Sequence, residues 1–295
     1  MNEKYDVIVI GAGAAGLMCS FEAGKRGKKV CLLEHSSKIA EKIRISGGGR
    51  CNFTNLFSTD SNFISNNKHF CKSAFSKYTQ DDFIKLVKNH KIEFYEKKLG
   101  QLFCTKSAKD IIEMLITECK NQKVEIYINT KIENLAKKEN SYLVKTDKGS
   151  ISSSSIVIAT GGLSIPKIGA SDFGYKIAEK FNLKVTKLEP ALVPLIFERD
   201  ILDFCKSLAG VSLNASVSIN KITFDEGLIF THKGLSGPSI LQISSYWNKN
   251  CAIKINLLPQ QDINVLLKER RISTPKQILS NILSDYLPNK LALAI

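Results

Sequence analysis

Several patterns that would assign a chain to a common class of protein are missing from this sequence. Hydrophobic residues make up 43% of the 295 residues, yet no stretch approaches the roughly 20 apolar residues of a membrane-spanning helix. The opening stretch, MNEKYDVIVIGAG, runs straight into an apolar strand pattern, so no signal peptide is expected. The sequence therefore predicts a cytoplasmic protein that is not bound to a membrane.

The eight cysteines contain no C-x-x-C pair. This absence argues against a zinc site, so no metal ligands are predicted. Scattered cysteines without such pairs are typical of reduced thiols in the cytosol rather than of a secreted disulfide framework. Paired carboxylates and nucleophile triads are not recognisable either, and nothing in the sequence favours a hydrolase.

Positive charge is the clearest compositional bias. The chain has 42 basic and 28 acidic residues, which gives a formal net charge of +14. Such an excess can attract nucleic acid, anionic lipid or an anionic cofactor. The lysines are dispersed rather than clustered, however, and we interpret them as a solvated basic surface. A nucleic-acid partner is therefore not the preferred interpretation.

The N-terminal pattern predicts a dinucleotide-binding βαβ unit. Residues 5–10, YDVIVI, are an apolar run typical of a parallel strand that is buried on both faces. The motif GAGAAG at 11–16 fits G-x-G-x-x-G, and it is followed by a predicted helix over 17–27 and by a second strand that closes on Glu34. All parts of the motif occur in the order that a dinucleotide site requires.

Each part of this motif has a physical role. The first glycine permits a tight turn, the second lets the backbone approach the pyrophosphate, and the third lets helix and strand pack closely. The N-terminus of the helix offers free N–H groups to the phosphates. Glu34 is placed to accept hydrogen bonds from ribose hydroxyls, which disfavours a 2′-phosphate and predicts FAD or NAD rather than NADP. The predicted phosphate-binding residues are Gly11, Gly13, Ala14, Ala15 and Gly16.

A long polar and glycine-rich stretch, SSKIAEKIRISGGGRCNFTN, follows Glu34 where a simple NAD dehydrogenase would have a third strand. An excursion at this place suits a cofactor that extends beyond its pyrophosphate into a large ring, as FAD does. Glycine amides can donate to flavin or pyrophosphate oxygens, and Arg50 can offset negative charge there. From the residues alone, a glycine-rich loop around a small buried cysteine stays open as an alternative.

These stretches carry a family resemblance. The run GAGAAGLMCSFEAGKRGKKVCLLE, followed by KIRISGGGRCNFTN, resembles the BaiN/YhiN-type NAD(P)/FAD-dependent oxidoreductases, the aminoacetone-oxidase-like flavoproteins. Three later stretches resemble the same family: ATGGLSIPKIGASDFGYKIAEKFNL, LEPALVPL and THKGLSGPSILQIS. The resemblance covers essentially the whole chain, and GGGRCN is its most specific motif.

The resemblance implies further cofactor contacts. It implies that the glycine triplet and its neighbours wrap the flavin side of FAD, and that Cys51 belongs to the cofactor's surroundings rather than acting as a nucleophile. It also implies that the backbone of Ile132 holds the adenine ring and that residues 160–162 approach FAD, although a plain tight turn explains 160–162 equally well. The implied residues are Ser46, Gly47, Gly48, Gly49, Arg50, Cys51, Asn52, Ile132, Thr160, Gly161 and Gly162.

The predicted fold class is α/β. The resemblance implies a Rossmann-like FAD-binding domain of the glutathione-reductase type over 1–190, an inserted β-barrel over 191–262 and the start of a small helical subdomain over 263–295. Short strand-like runs with intervening turns after Pro190 favour the β-barrel independently. The family pattern continues beyond Ile295, so the resemblance also implies that the chain is truncated at its C-terminus and lacks the last part of the FAD domain.

Local patterns give specific expectations between residues 80 and 160. Two amphipathic segments, DDFIKLVKNHKIEF and KSAKDIIEMLITECKNQ, predict helices, and the second has Ser107 as its N-cap with support from Asp110. The stretch EFYEKKLGQLFC is typical of a hairpin, and a turn between two later strands is predicted at 147–149. The SSSS run at 152–155 is interpreted as an edge or a turn.

The function predicted from these features is FAD-dependent oxidoreduction, with hydride transferred through flavin N5 between NAD(P)H and a small organic substrate or oxygen. His232, which precedes a Gly-Leu-Ser-Gly-Pro turn, is a candidate proton donor or substrate anchor, although a structural histidine is the simpler interpretation. Two alternatives stay open: a non-catalytic truncated remnant with weak or no FAD binding, and a flavin-containing protein associated with nucleic acid. The sequence does not indicate the oligomeric state.

Overall fold

In the computed structural model, which describes residues 3–248 and 251–295, the chain divides into two compact units, Met1–Thr186 and Lys187–Ile295. Each unit encloses hydrophobic cores made of its own residues. All eight cysteines are free thiols. In the described part of the chain, no helix is both long enough and apolar enough to cross a membrane.

The first unit is built from strands and helices in alternation. Its strands are β1 (Lys4–Ile10), β2 (Val30–Leu33), β3 (Asn52–Asn55), β4 (Phe94–Glu96), β5 (Gln101–Cys104), β6 (Glu125–Tyr127), β7 (Ile132–Lys138), β8 (Ser141–Thr146) and β9 (Gly149–Ile158). Its helices are α1 (Ala14–Lys25), α2 (Glu41–Ile45), α3 (Lys72–Phe75), α4 (Gln80–Asn89), α5 (Ala108–Asn121) and α6 (Phe173–Lys180).

The main sheet of this unit has the strand order β6-β2-β1-β9-β8-β7. Strand β1 pairs in parallel with β2 and β9, β2 pairs in parallel with β6, and β9, β8 and β7 form an antiparallel meander. The carboxyl ends of β1, β2 and β9 therefore lie at the same edge of the sheet. In open α/β sheets this edge is where ligands bind. The predicted βαβ unit and α/β class are confirmed.

The serine run at 152–155 is not at an edge, and that prediction is wrong. It lies inside β9, between β1 and β8, with Ser152 opposite both Lys4 and Leu143. The hydroxyl of Ser153 is buried and donates to the carbonyl oxygen of Ser155 at 2.8 Å. The polar run is tolerated because β1 and β8 both pair with its first two serines, and because the buried hydroxyl finds a partner in its own strand. Ser154 and Ser155 lie beyond the pairing with β8 and are exposed.

Helices α1 and α5 pack together beside the main sheet. Leu17 and Phe21 on α1 and Ile111 and Leu115 on α5 are almost completely buried in one core. The thiol of Cys119 donates to the carbonyl oxygen of Leu17 at 3.4 Å. Strands β3, β5 and β4 form a separate three-stranded sheet, so the hairpin predicted over EFYEKKLGQLFC is confirmed as β4–β5.

The predicted cap of α5 is confirmed and provides a stability test. The hydroxyl of Ser107 accepts a hydrogen bond from the backbone N–H of Lys109 at 3.2 Å, and the carboxylate of Asp110 accepts one from the backbone N–H of Ser107 at 3.4 Å. Ser107→Ala should lower the free energy of unfolding by about 1 kcal/mol, because it leaves helix N–H groups without a partner. Urea denaturation measures this change.

The matched control for this test is Ser37→Ala, because Ser37 is exposed and its side chain makes no hydrogen bond to any described residue. A substitution at such a place should change the unfolding free energy by no more than about 0.5 kcal/mol. An equal effect of the two substitutions would contradict the capping role of Ser107.

The second unit combines an antiparallel sheet with helices. Its strands are β10 (Leu195–Ile196), β11 (Ser212–Ile219), β12 (Ile222–Thr231), β13 (Gly234–Ser236) and β14 (Lys254–Asn256), in the order β10-β13-β12-β11-β14. Its helices are α7 (Arg199–Ser207), α8 (Pro238–Ser244), α9 (Ile263–Ser273), α10 (Leu279–Ser284) and α11 (Asn289–Ala292). Ile240 and Ile243 on α8 pack into the same core as Val217 on β11 and Leu291 on α11. After β14 the described residues form three further helices, α9 to α11.

Candidate functional site

The first unit contains a large cavity at the carboxyl ends of its parallel strands. Its volume is about 1800 Å³, whereas ligand pockets typically have about 300 to 1,000 Å³. Twelve of the residues predicted from the sequence line it: Gly11, Gly13, Ala14, Ala15, Glu34, Ser46, Cys51, Asn52, Ile132, Thr160, Gly161 and Gly162. The fold thus brings together residues that are up to 151 positions apart in the chain.

The turn between β1 and α1 forms one wall of the cavity. Gly11 has a φ of 103°, and a Cβ atom there would lie 2.6 Å from the carbonyl oxygen of Ala159. A Cβ on Gly16 would overlap the carbonyl oxygen of Gly11, whereas a Cβ on Gly13 would meet no atom within 4 Å. Helix α1 starts after Gly13 without a side-chain cap. The first N–H groups of α1 are therefore available to a ligand at this wall.

Glu34 supports this turn as well as lining the cavity. Its carboxylate accepts hydrogen bonds from the backbone N–H of Ala12 at 2.8 Å and from that of Ser36 at 2.9 Å. The ring Nδ1 of His35 lies 3.0 Å from the same carboxylate. A carboxylate has about four acceptor positions, so capacity for ribose hydroxyls remains. The sequence pattern indicated the ribose role but not this second role, because the partner N–H groups belong to the backbone.

Glu34→Gln tests the support that Glu34 gives to the turn. The glutamine side chain keeps one acceptor oxygen and replaces the other with an NH₂ group. One of the two backbone N–H donors is therefore left without an acceptor. We expect the free energy of unfolding to fall by about 1 to 3 kcal/mol. Urea denaturation of the ligand-free protein measures it. Glu139→Gln is the matched control because Glu139 is exposed in the turn between β7 and β8; equal effects of the two substitutions would refute the role.

The glycine triplet is held by contacts within the protein. Ser46–Gly49 form a 3₁₀ turn in which Gly47 and Gly48 are left-handed, with φ of 57° and 66°. A Cβ on Gly47 would lie 2.7 Å from the ring of Phe103, and the backbone N–H of Cys51 donates to the carbonyl oxygen of Ser46 at 3.0 Å. The triplet therefore forms an ordered turn beneath which Phe103 packs, rather than a linker.

Not every residue of this turn lines the cavity. Among the described residues, the lining includes Ser46, Cys51 and Asn52 but not 47–50. The guanidinium of Arg50 is exposed and donates to the Tyr95 hydroxyl at 3.4 Å. Gly16 also lies outside the lining, where it serves the packing of α1. The implied contacts of 47–50 with a cofactor stay predictions.

Cys51 lines the cavity as a buried thiol. It is 5% exposed and has a φ of 51°. Burial raises the pKa of Cys51 above its ordinary value. Burial, with an added contribution from the neighbouring Cys51, raises the pKa of Cys104 to about 12. Burial therefore favours the neutral thiol form of both side chains.

Thr160, two residues after the end of β9, has an unsatisfied polar group. Its hydroxyl oxygen is buried and has no hydrogen-bond partner among the described residues. Gly161 follows with a φ of 71° and open space where a Cβ would lie, whereas a Cβ on Gly162 would lie 2.5 Å from the Tyr175 hydroxyl. Buried polar groups normally have partners, so the Thr160 hydroxyl points to a polar ligand in the cavity.

Aromatic residues line a further part of the cavity and were not identified from the sequence. They are Phe53, Phe63, Phe70, Phe75, Tyr78 and Phe83. Four of them come from residues 57–78, which we call the aromatic segment. The sequence feature that could have identified this segment is its content of five aromatic residues, since aromatic residues make up only 8% of the chain overall. It was missed because these residues follow neither a helical nor a strand period.

His232 lies in the second unit. It is exposed in the turn between β12 and β13, and α8 begins at the proline of the Gly-Leu-Ser-Gly-Pro stretch. All residues that line the cavity of the first unit lie between Ile10 and Phe173. The role of His232 stays a prediction.

Comparison with known proteins supports the resemblance. The HI0933-like protein Rossmann domain matches residues 5–237, and the HI0933-like protein barrel and H2TH domain matches residues 189–295. The ribosomal RNA dihydrouridine synthase of Escherichia coli (strain K12) is 46% identical over 98% of this chain and 72% of that protein. The enzyme of the same name from Haemophilus influenzae (strain ATCC 51907 / DSM 11121 / KW20 / Rd) is 40% identical over 99% of this chain and 74% of that protein.

A more distant relative is named for a different activity. The 3-dehydro-bile acid delta(4,6)-reductase of Clostridium scindens (strain ATCC 35704 / DSM 5676 / VPI 13733 / 19) is 25% identical over 96% of this chain and 72% of that protein. The two domain matches overlap and together extend from residue 5 to residue 295. This chain therefore belongs to the HI0933-like family of Rossmann-fold flavoprotein oxidoreductases, with a Rossmann domain followed by a barrel and H2TH domain.

Proposed function

We propose that this chain binds FAD in the cavity of the first unit and reduces uridine in ribosomal RNA to dihydrouridine. The observation that carries the proposal is the 46% identity, over 98% of this chain, to a ribosomal RNA dihydrouridine synthase. The proposal departs from the sequence-based preference for a small-molecule substrate. It keeps the prediction of a flavin-dependent oxidoreductase.

The residues of the cavity fit FAD. The open space at Gly13 and the uncapped start of α1 suit the pyrophosphate, and Glu34 suits a ribose. The unsatisfied hydroxyl of Thr160 offers a hydrogen bond to the cofactor at the end of β9. The volume of about 1800 Å³ leaves room for a substrate beside the cofactor.

The charge distribution supports an RNA substrate. Of the 42 basic residues, 30 lie in the unit that ends at Thr186, together with 19 of the 28 acidic residues. Most of the positive excess therefore belongs to the unit that contains the cavity. Lysine and arginine side chains supply most of the affinity of proteins for the phosphate backbone.

The reaction saturates the C5–C6 double bond of the uracil ring, which gains a hydride and a proton while NAD(P)H becomes NAD(P)⁺. Bound flavin supplies the hydride transfer between the reductant and the substrate. The residues of this chain would bind and orient the cofactor through the β1–α1 turn and Glu34. The apolar side of the cavity would exclude water from the reacting ring. His232 stays the candidate that the sequence offers as proton donor.

A second candidate function is reduction of a small unsaturated carbonyl compound. It is favoured by the 25% identity to a 3-dehydro-bile acid delta(4,6)-reductase and by the apolar part of the cavity. Both candidate reactions saturate a carbon–carbon double bond that is conjugated to a carbonyl group. The two candidates therefore share a flavin mechanism and differ in the size and charge of the substrate.

The test begins with the purified protein. We expect a bound-flavin absorbance band at about 450 nm, which NADH or NADPH should bleach under anaerobic conditions. Incubation with NAD(P)H and ribosomal RNA that lacks the modification should then convert uridine to a nucleoside heavier by two hydrogens, which mass spectrometry of the digested RNA detects.

Two outcomes would contradict the proposal. A protein that bleaches with NAD(P)H, leaves the RNA unchanged and reduces a small enone would support the second candidate. A colourless protein that does not take up added FAD would support a non-catalytic remnant.

His232→Ala tests the role predicted for that residue. If His232 donates the proton, turnover should fall by about 10²- to 10⁴-fold, the typical contribution of general acid catalysis, while the rate of flavin bleaching by NAD(P)H stays unchanged. Lys233→Ala, in the same exposed turn, is the matched control. Normal turnover of His232→Ala would show that the residue has no catalytic role.

A further inference from the structure

We propose that the aromatic segment, residues 57–78, is the RNA-binding arm of the cavity: its rings stack against an unpaired uracil base and its lysines bind the flanking phosphates. This inference rests on the proposed function, because it specifies how the RNA substrate is held. It names a recognition site at a place for which the sequence motifs gave no role.

The rings are exposed and face the cavity. Phe63, Phe70 and Tyr78 line the cavity although 54%, 74% and 37% of their surfaces are exposed. Phe75, which also lines it, packs edge-on against Phe63 with ring centroids 5.2 Å apart. Aromatic rings that stay accessible at a cavity are suited to stacking with bases, because every base presents a π-face.

The lysines of the segment are free to bind an anion. Lys68, Lys72 and Lys77 are exposed and form no ion pair among the described residues. No acidic residue occurs between Asp60 and Asp81. From Phe63 to Tyr78, lysines and aromatic residues therefore occur together with no acidic residue between them in the sequence. Proteins that bind single-stranded nucleic acid combine these two features, a positive groove and stacking rings.

The position of the rings is compatible with a bound cofactor. The β1–α1 turn and Glu34 come from the ends of β1 and β2, whereas the stacking rings come from the segment between β3 and α4. The cavity volume of about 1800 Å³ exceeds that of a typical ligand pocket. A base inside a duplex cannot reach such a cavity, so the uracil must be unpaired or flipped out of its stack.

An apolar small molecule is the alternative ligand for these aromatic rings. Such a ligand would use the rings but would gain nothing from Lys68, Lys72 and Lys77. The charge of the segment therefore favours a polyanion, and dependence of binding on both rings and lysines distinguishes the two occupants.

The experiment measures binding of a fluorescently labelled single-stranded oligouridylate of twelve nucleotides to the protein as purified, by fluorescence anisotropy. Phe70→Ala and Phe63→Ala should each weaken binding by about 5- to 150-fold, the range for loss of one base–aromatic stack. Phe70→Tyr, which keeps an aromatic ring, should restore it. The matched control is Phe57→Ala: Phe57 is 69% exposed in the same segment but lies outside the cavity lining.

Two further measurements separate the contribution of base stacking to binding from the contribution of charge. Replacing the uracils by abasic sites should remove the difference between wild type and Phe70→Ala. Lys72→Ala should weaken binding to any single strand and reduce the slope of log Kd against log salt by about 0.7. Lys137→Ala, on the exposed edge strand β7, is its matched control.

The outcomes distinguish this inference from the proposed function. Unchanged oligouridylate binding by Phe63→Ala and Phe70→Ala, with a normal far-ultraviolet circular dichroism spectrum, would overturn the inference even if wild-type protein forms dihydrouridine. Ring-dependent binding in a protein that forms no dihydrouridine would support the inference and overturn the proposed function. Binding that depends on the rings but not on Lys72 or salt would assign the site to an apolar ligand and overturn the inference.

Discussion

Gly13→Ala is expected to weaken FAD binding strongly while leaving the fold intact. Gly13 has a φ of −81°, which alanine adopts without strain, and its Cβ would meet no protein atom within 4 Å. The new methyl group would instead occupy the space proposed for the pyrophosphate. We expect the Kd for FAD to rise by about 5- to 150-fold, which corresponds to the 1 to 3 kcal/mol that overpacking typically costs. Titration with FAD, followed by quenching of flavin fluorescence, measures it.

The control for Gly13→Ala is the same substitution at Gly227. Gly227 is on β12 in the second unit, and a Cβ there would make only an ordinary contact at 3.7 Å with Pro238. Gly227→Ala should leave FAD affinity unchanged. Unchanged FAD affinity in Gly13→Ala would mean that no pyrophosphate approaches this turn, and the proposed cofactor site would have to be abandoned.

Gly16→Ala is expected to damage the fold itself. A Cβ at this position would overlap the backbone carbonyl oxygen of Gly11, and backbone atoms in a tight turn cannot move aside as a side chain can. We expect the free energy of unfolding to fall by about 3 kcal/mol, the upper end of the usual cost of overpacking. This is a large part of the about 5 to 15 kcal/mol that stabilises a typical domain. Urea denaturation and the yield of folded protein measure the effect.

Gly13→Ala in the ligand-free protein provides the comparison at the same turn. A Cβ at Gly13 would meet no protein atom within 4 Å. Gly13→Ala should therefore lower the free energy of unfolding much less than Gly16→Ala. Comparable losses at the two positions would contradict the close-packing role of Gly16.

The parts of the fold that could be predicted have local signals. The βαβ unit was predictable because its glycines, its helix and Glu34 are close in sequence and have fixed geometric roles. The N-cap at Ser107 and the β4–β5 hairpin were predictable for the same reason, since capping and turn formation involve residues only a few positions apart. These features need no information on tertiary contacts.

The parts that could not be predicted depend on distant residues. The serine run lies inside β9 because β1 pairs along it and β8 pairs with Ser152 and Ser153, and this pairing overrides its polar composition. The same limit applies to the cavity. The aromatic segment meets the carboxyl ends of the parallel strands only in the folded chain. The packing of Phe103 beneath Gly47 likewise could not be inferred from the glycine triplet.

The separate hydrophobic cores have a consequence for thermodynamic measurements. The cores of the first unit include Leu17, Phe21 and Ile151, whereas that of the second includes Val217 and Leu291. A chain with two such cores need not denature in one cooperative step, so a single melting temperature does not define its stability. A ligand that binds only to the first unit stabilises the folded state of that unit alone. Calorimetric traces with and without FAD would then differ in one transition and coincide in the other.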